Sequence, residues 1–326
     1  MADIITEAAR IRAGVMKRDQ RQLKRVLDQY RVLYDRLKGD IAALVAELEK
    51  KGSLTAGQLK QLSSYRRLLQ DVRREMDDYT AWLRGEIAGA SKEVVTAGIK
   101  DARALLGVQD ARILAAFRTL NPAQLEQLMA FLDPAGALYQ GLAKMGEESA
   151  KAIAAAILKG VALGQNPNAI AKIISSQLGM ELVSAMRTMR TVQMYAYREA
   201  NRASYIANAD VVEGWEWIAE LDDSTCMACL SLHGTIHPLD EVQDGHWNCR
   251  CTMVPVVIGS EGTGGTGEDW FKSQPEDVQR SIMGDTRYEA WKEGKFAWGG
   301  MAQERDDPVF GSMQAETPLK DLIKDK

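Results

Sequence analysis

Cys226-Met227-Ala228-Cys229, followed downstream by His246-Trp247-Asn248-Cys249-Arg250-Cys251, is the stretch that organises the C-terminal half of the chain. All four cysteines and all three histidines of the 326 residues, His233 and His237 included, fall between positions 226 and 251. A Cys-x-x-Cys turn aims two thiolates at one cation while backbone N–H groups bond the sulfurs. Zinc accepts such sulfurs at about 2.3 Å and imidazole nitrogen at about 2.0 Å, in a tetrahedron. His246-x-x-Cys249 repeats the two-residue gap and supplies a second half-clamp. If the backbone from Cys249 to Cys251 is extended, both thiols share one face, which makes Cys251 eligible too. Five donors then stand for four positions. Cys226, Cys229 and Cys249 are the core of the set, and His246 and Cys251 contest the remaining place. The expectation is a closed, structural zinc site with no catalytic residues.

Other chemistries would use the same residues. The four cysteines could pair as two disulfides, but the chain opens without a basic segment or an apolar segment of the secretory kind, so a cytoplasmic origin is expected. They could also be free and buried. A catalytic zinc of the deaminase type needs a His-x-Glu element ahead of a Pro-Cys-x-x-Cys element. Here Thr225 precedes Cys226, and His237-Pro238-Leu239 lacks the glutamate. A His-Glu-x-x-His helix is absent as well. Nucleophilic Cys/His catalysis lacks an adjacent Gly-rich oxyanion segment. His233, before Gly234, reads as a locally bonded turn residue, and His237 as a surface loop residue. Asp222 and Asp223 read as turn formers leading into the Cys-x-x-Cys loop.

Outward from this window lie two β-prone runs. Val212 to Ala219 alternates large apolar and polar residues, the period of a half-buried strand, and Thr252 to Ile258 is a second run in which Pro255 marks an edge. Upstream, everything reads as helix. Leu182 to Ala207 forms one long helix carrying Arg187, Arg190, Arg198 and Arg202, an array that predicts a solvated or salt-bridged face and, as an alternative, a phosphate-binding one. Gly164-Gln165-Asn166-Pro167 ends one Ala-rich helix and starts the next at Ala169. Asn121-Pro122 and Asp133-Pro134 read as N-caps followed by Pro at the first helical position.

The N-terminal segment carries the cleanest period. Leu23, Leu27, Tyr30, Tyr34, Leu37, Ile41, Leu44 and Leu48 alternate four and three apart, the 3.5-residue repeat of a coiled-coil seam. Gly52 and Ser53 break it, as a C-terminal glycine and a new cap. The seam resumes at Leu62, Tyr65, Leu69, Val72, Met76, Tyr79 and Leu83, so the two helices should pack antiparallel. After Gly259, Ser260 to Gly267 reads as a flexible glycine-rich linker. Short helices follow over Pro275–Met283 and Tyr288–Lys292, in a piece expected to pack on a neighbour. The fold class is therefore mainly α with a small β element. Its expected parts are a helical hairpin arm (1–110), a helical region (111–210), a small β domain with the Cys/His site (211–259), and a linker with an irregular C-terminal extension (260–326).

Charge adds an asymmetry. Residues 17–103 carry nineteen Lys/Arg against thirteen Asp/Glu, whereas residues 210–326 carry ten against twenty-three. The acidic end is poorly suited to phosphate; the basic hairpin could meet DNA, but its modest excess of six reads first as a solvated helix face. No apolar run reaches the roughly 18 residues that span a bilayer, so no membrane partner is expected.

Taken together, several stretches resemble one family. Gly214-Trp215-Glu216-Trp217, then Asp222-Asp223-Ser224-Thr225-Cys226-Met227-Ala228-Cys229, then Leu232-His233-Gly234, then His246-Trp247-Asn248-Cys249-Arg250-Cys251-Thr252 closing on Val254-Pro255-Val256 are similar to the phage Mu F-like minor head proteins, also called phage head morphogenesis proteins. Gln279 to Gly284 resembles a further piece, and the likeness spans about residues 165–300. Trp247 stands where a proline or a small residue is expected. The resemblance implies a non-enzymatic, low-copy virion component of the capsid interior or portal vertex. It would act with the portal, and with major capsid or scaffold protein, in procapsid assembly or DNA packaging. The alternatives are a nucleic-acid-binding protein near the portal, touching packaged DNA through its basic helices, and an ejected zinc enzyme.

Overall fold

A computed structural model describes residues 4–109, 111–133 and 135–323. The chain is mainly helical with small antiparallel sheets. In order it forms α1 (Ile4–Lys51), α2 (Ala56–Gln61), α3 (Ser63–Gln109), α4 (Ala111–Ala116), α5 (Pro122–Leu128), α6 (Ala137–Ala162) and α7 (Pro167–Ala207). Then come β1 (Val212–Ile218), α8 (Met227–Leu232), β2 (Ile236–Pro238) and β3 (Thr252–Val257). The C-terminal part holds α9 (Gly267–Ser273), α10 (Glu276–Met283), α11 (Asp285–Lys292), β4 (Ala302–Asp307), β5 (Gly311–Glu316) and α12 (Leu319–Leu322). Two compact units share these elements. One comprises residues 20–89 and 132–189, and the other residues 1–19, 90–131 and 190–326.

In the first of these units α1 and α3 run antiparallel, as the seams predict. Arg25 pairs with Glu86, Arg36 with Glu75, and Ser64 bonds Glu47, one rising in number as the other falls. Tyr30 meets Tyr79 edge-on at 5.2 Å between centroids. The buried stripe differs in detail from the expected seam: Val26, Leu33 and Leu68 are buried where Leu27, Tyr34 and Leu69 were expected to be. The cause is a third helix. Tyr34 turns aside to bond Ser175 of α7, so the stripe of α1 serves two neighbours rather than one. Exposed ion pairs of this kind are worth about 0–1 kcal/mol each, whereas each buried Leu contributes roughly 1.5–3 kcal/mol, so the seam is what holds the helices together.

The break at Gly52 has the expected left-handed φ of 67°. The new cap is Thr55, not Ser53: Thr55 and Gln58 form a reciprocal capping box at the start of α2. Asn121 caps α5 with Pro122 first in the helix, as its sequence predicts. Pro134 lies outside the described residues, and the helix that follows starts at Ala137 with Gly136 as its N-cap. The helix expected to begin at Leu182 is instead continuous from Pro167, with Asn166 accepting the Ala169 N–H at its start.

In the second unit, Ile11 and Val15 of α1, Val94, Val95 and Leu105 of α3, and Met194, Tyr197 and Ala200 of α7 form one core. A three-stranded antiparallel sheet, in the order β2-β1-β3, carries Trp215 opposite both His237 and Pro255. As the central strand, β1 is buried on both faces except at Glu213, which replaces the half-buried alternation read from sequence. Even Glu216 is only 1 % exposed. It accepts hydrogen bonds from the backbone and hydroxyl of Thr263. The glycine-rich stretch expected to be a flexible linker is therefore irregular but anchored. Gly262, at φ 76°, lies so close to the Glu216 carboxylate that an added β-carbon would stand 2.7 Å from it. Beyond it Phe271, Met283, Tyr288 and Met301 pack with Met227 and Leu230 of α8. The β4–β5 hairpin, which no sequence alternation announced, docks by Gln314 on Asp244.

Candidate metal centre

The donors of the Cys/His window come from two pieces of chain, the start of α8 and the segment between β2 and β3. Cys226 is the N-cap of α8, and its sulfur accepts the Cys229 N–H at 3.4 Å. That bond satisfies one of the orphan donors at the helix start and points Cys229, one turn in, to the same side. Cys249 and Cys251 flank Arg250 just before β3, and the Cys251 N–H donates to Cys249 Sγ, again at 3.4 Å. His246 enters from the loop between β2 and β3. Its Nδ1 faces the Trp247 carbonyl oxygen at 2.7 Å, which assigns the proton to Nδ1 and leaves Nε2 toward the sulfurs.

All five predicted donors come together, in two groups that share Cys229. Cys226, Cys229 and His246 form one, and Cys229, Cys249 and Cys251 the other, with the ligand atoms of each lying within 4.8 Å of one another. His246 Nε2 is 3.1 Å from Cys226 Sγ and 3.2 Å from Cys229 Sγ, and Cys229 Sγ is 3.8 Å from Cys249 Sγ. A tetrahedral zinc would set sulfurs about 3.8 Å apart and sulfur and nitrogen about 3.6 Å apart. The sulfur edge fits, and the imidazole edges are shorter by a few tenths of an ångström. All four cysteines are unpaired thiols, not disulfides. The donor set fits a thiophilic cation, with Cys229 common to either choice of ligands.

The electrostatics split the sulfurs. Cys226 and Cys249 are pushed toward thiolate, whereas hydrogen bonds to Cys226 and Cys249 hold Cys229 well above its ordinary value. Cys251 is raised too, its bond to Cys229 outweighed by its bond to Cys249 and by burial. A hydrogen bond from Cys229, aided by His246, pulls Cys226 down to about 5 against the opposing effect of burial. Burial works to lower His246, but its bond to Cys226 and the charges of Cys249 and Cys226 raise it to about 9. Cys249 is held well below its ordinary value by Cys229 and Cys251. The cavity beside the sulfurs, lined also by Glu220, Thr225 and Arg250, has a volume of about 30 Å³. That is room for a single ion or water and not for an organic substrate.

Residues 151–254 match the family described as Phage Mu protein F like protein. The Mu F-like segment runs from within α6 to Val254 in β3, and so contains every donor of the centre. It begins earlier and ends earlier than the 165–300 span read from sequence, leaving Gln279 to Gly284 outside. No curated protein and no solved structure matches the chain.

The neighbours of the donors explain much of the motif. Arg250 forms a two-pronged ion pair with Asp222, at 2.6 and 2.7 Å. Asp222 also accepts from the Ser224 N–H and the Thr225 hydroxyl, which ties the Asp-x-x-Thr-Cys turn to the Cys-Arg-Cys turn. The turn-forming role read for Asp222 is present, but its ion pair was not foreseen. Asp223 accepts from the Ser224 hydroxyl. Trp247, the departure from the motif, donates to Asp307 and meets Phe310 edge-on, so it anchors the β4–β5 hairpin. Glu316, on the same hairpin, accepts the Met227 N–H at the start of α8.

The two other histidines lie outside the cluster. His233 is buried and accepts the Ala219 N–H at Nδ1. His237, read as a loop residue, belongs to β2, where it stacks on Trp215 at 4.3 Å and bonds Thr235 and Glu241. The arginine array of α7 is largely spent internally. Arg190 pairs with Asp19 and bonds Asn248, Arg202 pairs with Glu199, and Arg198 is buried against backbone carbonyls. Those three side chains are engaged with protein and not presented to phosphate.

Proposed function

We propose that this protein is a structural component of a phage head, acting with the portal in procapsid assembly or DNA packaging, and that its Cys/His centre holds a zinc ion that clips the small sheet together. The observation that carries the reading is the Mu F-like segment, 151–254, coinciding with the helix and sheet that present all five donors. A cavity of about 30 Å³ beside the sulfurs supports a closed clip, a structural rather than catalytic role for the ion. The ion would be held by Cys226, Cys229 and Cys249 with His246 or Cys251 as the fourth ligand. It would supply a cross-link between the α8 turn and the β3 turn, in a sheet too short to be stable alone.

The partner class is other head proteins. Engagement of Arg190, Arg198 and Arg202 within the protein weakens the DNA-binding alternative for α7 and leaves it only to the basic stretch of residues 17–103. Two measurements test the reading. Elemental analysis of the purified full chain should find one zinc per chain; a folded protein without metal would refute the clip. Deleting the gene from the phage should give defective or empty heads in which the portal is absent or misplaced. Normal heads from the deletion, or absence of the protein from purified heads, would refute the assembly role.

A further inference from the structure

Arg198 presents a physical problem that the zinc reading alone does not solve. Its side chain sits on α7 inside the protein, with the residue only 3 % exposed. Its three nitrogens donate to carbonyl oxygens alone: Nε to Cys251 at 3.1 Å, Nη1 to Gln243 at 3.3 Å and Nη2 to Cys249 at 3.5 Å. No carboxylate pairs with it among the described residues, unlike Arg190 with Asp19, Arg202 with Glu199 and Arg250 with Asp222. Guanidinium does not deprotonate in proteins, and a buried charge without a counter-charge costs several kcal/mol. Carbonyl dipoles alone rarely compensate such a charge.

The missing negative charge lies in the cysteine cluster. A β-carbon added to Gly245 would collide with the Arg198 guanidinium and would also stand 2.8 Å from Cys249 Sγ, so the cation and that sulfur flank the same small gap. Two of the three carbonyls it grips belong to Cys249 and Cys251 themselves. A divalent ion with three thiolates and one imidazole carries a net charge of −1, and one with four thiolates −2.

We infer that Arg198 is the counter-charge of the metal–thiolate cluster, a positioning residue that holds the Cys249–Cys251 turn and lets a net negative centre persist in the interior. The inference rests on the zinc-clip reading and adds to it a residue that holds no metal. It also gives the buried α7 arginine a purpose other than phosphate binding.

The test uses the full chain loaded with zinc, with Arg198→Gln and Arg198→Lys compared with the unaltered protein. Zinc affinity is read by competition with a chromophoric chelator, and thermal unfolding is followed with and without excess chelator. Arg198→Gln should weaken zinc binding 10- to 100-fold, the range seen when outer-shell partners of a metal site are lost. The rise in Tm on zinc loading should shrink accordingly. Arg198→Lys, which keeps the charge but not the three-carbonyl grip, should stay within a few-fold of the original affinity. If Arg198→Gln binds zinc normally and lowers Tm equally with and without metal, Arg198 is a carbonyl clamp only and the inference fails. If Arg198→Gln does not fold, Arg198→Lys decides: a loss of 10-fold or more there also overturns it. Zinc absent from the unaltered protein would instead remove the underlying reading, an outcome distinct from a zinc-loaded protein indifferent to Arg198.

Discussion

The paired helices α1 and α3 and the sheet around the Cys/His centre are held in opposite ways. Along the helices the holding groups are many and alike: Leu37, Leu44, Leu68, Val72, Met76 and Leu83 are all buried, and each shares its work with the next turn. Around the sheet the holding groups are few and unlike. One sulfur, Cys229, joins both donor groups, one arginine ties the two turns, and one carbonyl, that of Trp247, sets the tautomer of His246. Redundancy makes the first region tolerant and readable, whereas singularity makes the second sensitive. The sharpest way to break the comparison is Cys229→Ser. Structural zinc contributes apparent folding energies of about 10–16 kcal/mol in isolated zinc modules. The variant should lose its zinc, and hydrogen exchange in β1, α8 and β3 should approach the unprotected rate while α1 and α3 between residues 20 and 89 keep their protection. Undiminished protection in β1 and β3 would show that the sheet stands without its clip.

A single large truncation on the helical side should do less. Leu37 is fully buried, and Leu37→Ala removes three carbons from the seam and leaves a cavity. The expected cost is about 2–5 kcal/mol, because neighbouring turns collapse only partly into such a space. Urea denaturation should show a lower midpoint with an unchanged zinc content. Loss of zinc from this variant would mean that the two regions are less independent than their contrasting construction indicates.

The same contrast explains what was legible in the sequence. A period of 3.5 survives small errors of register, so the antiparallel pairing of α1 and α3 could be read even though Val26 and Leu33 replace Leu27 and Tyr34 in the stripe. The cysteines were legible because their chemistry is scarce and their spacing local. Arg198 was not, since a buried arginine looks the same in sequence as the half-buried, ion-paired arginines around it, and its partners lie some fifty residues away. The β4–β5 hairpin was missed for a related reason. Ala302 to Asp307 is largely polar and exposed on both faces, and the strand is fixed by its pairing with β5, which in turn meets the Asp244 loop. Gly262 and Thr263 read as linker because glycine marks both freedom and close approach, and only the buried carboxylate of Glu216 decides between them.

His233 gives a subtler handle on the sheet region. Burial, reinforced by the charge of Arg12, pushes the ring down to about 4 from its ordinary 6.5. Its Nδ1 must stay unprotonated to accept the Ala219 N–H. The folded state therefore binds this proton less readily than the unfolded chain does. Its contribution to stability is complete above pH 6.5, declines as pH falls from 6.5 toward 4, and changes no further below that. The shift corresponds to a loss on the order of 3 kcal/mol across that window. Acid also strips zinc from thiolates, and the sheet needs its clip, so urea midpoints are taken with zinc in excess at pH 7 and pH 5.5 and zinc retention is checked at both. His233→Asn should flatten the difference; an unchanged slope would assign it to other groups.

The smallest effect is expected where the helical region looks most elaborately bonded. Arg36 reaches Glu75 across the α1–α3 pair at 3.0 Å, yet its side chain is 58 % exposed. Water screens the attraction, and ordering a long side chain offsets most of what remains. Glu75 itself is nearly buried, but it keeps a second partner in Arg74, so removing Arg36 does not strand an unpaired charge. Arg36→Ala should therefore cost less than about 1 kcal/mol, and adding 1 M salt should shift the original protein's urea midpoint nearly as much as the substitution does. A cost approaching that of Leu37→Ala would mean that the charged ladder, and not the apolar seam, sets the pairing of these helices. The contrast between a redundant region and a singular one would then need a different physical basis.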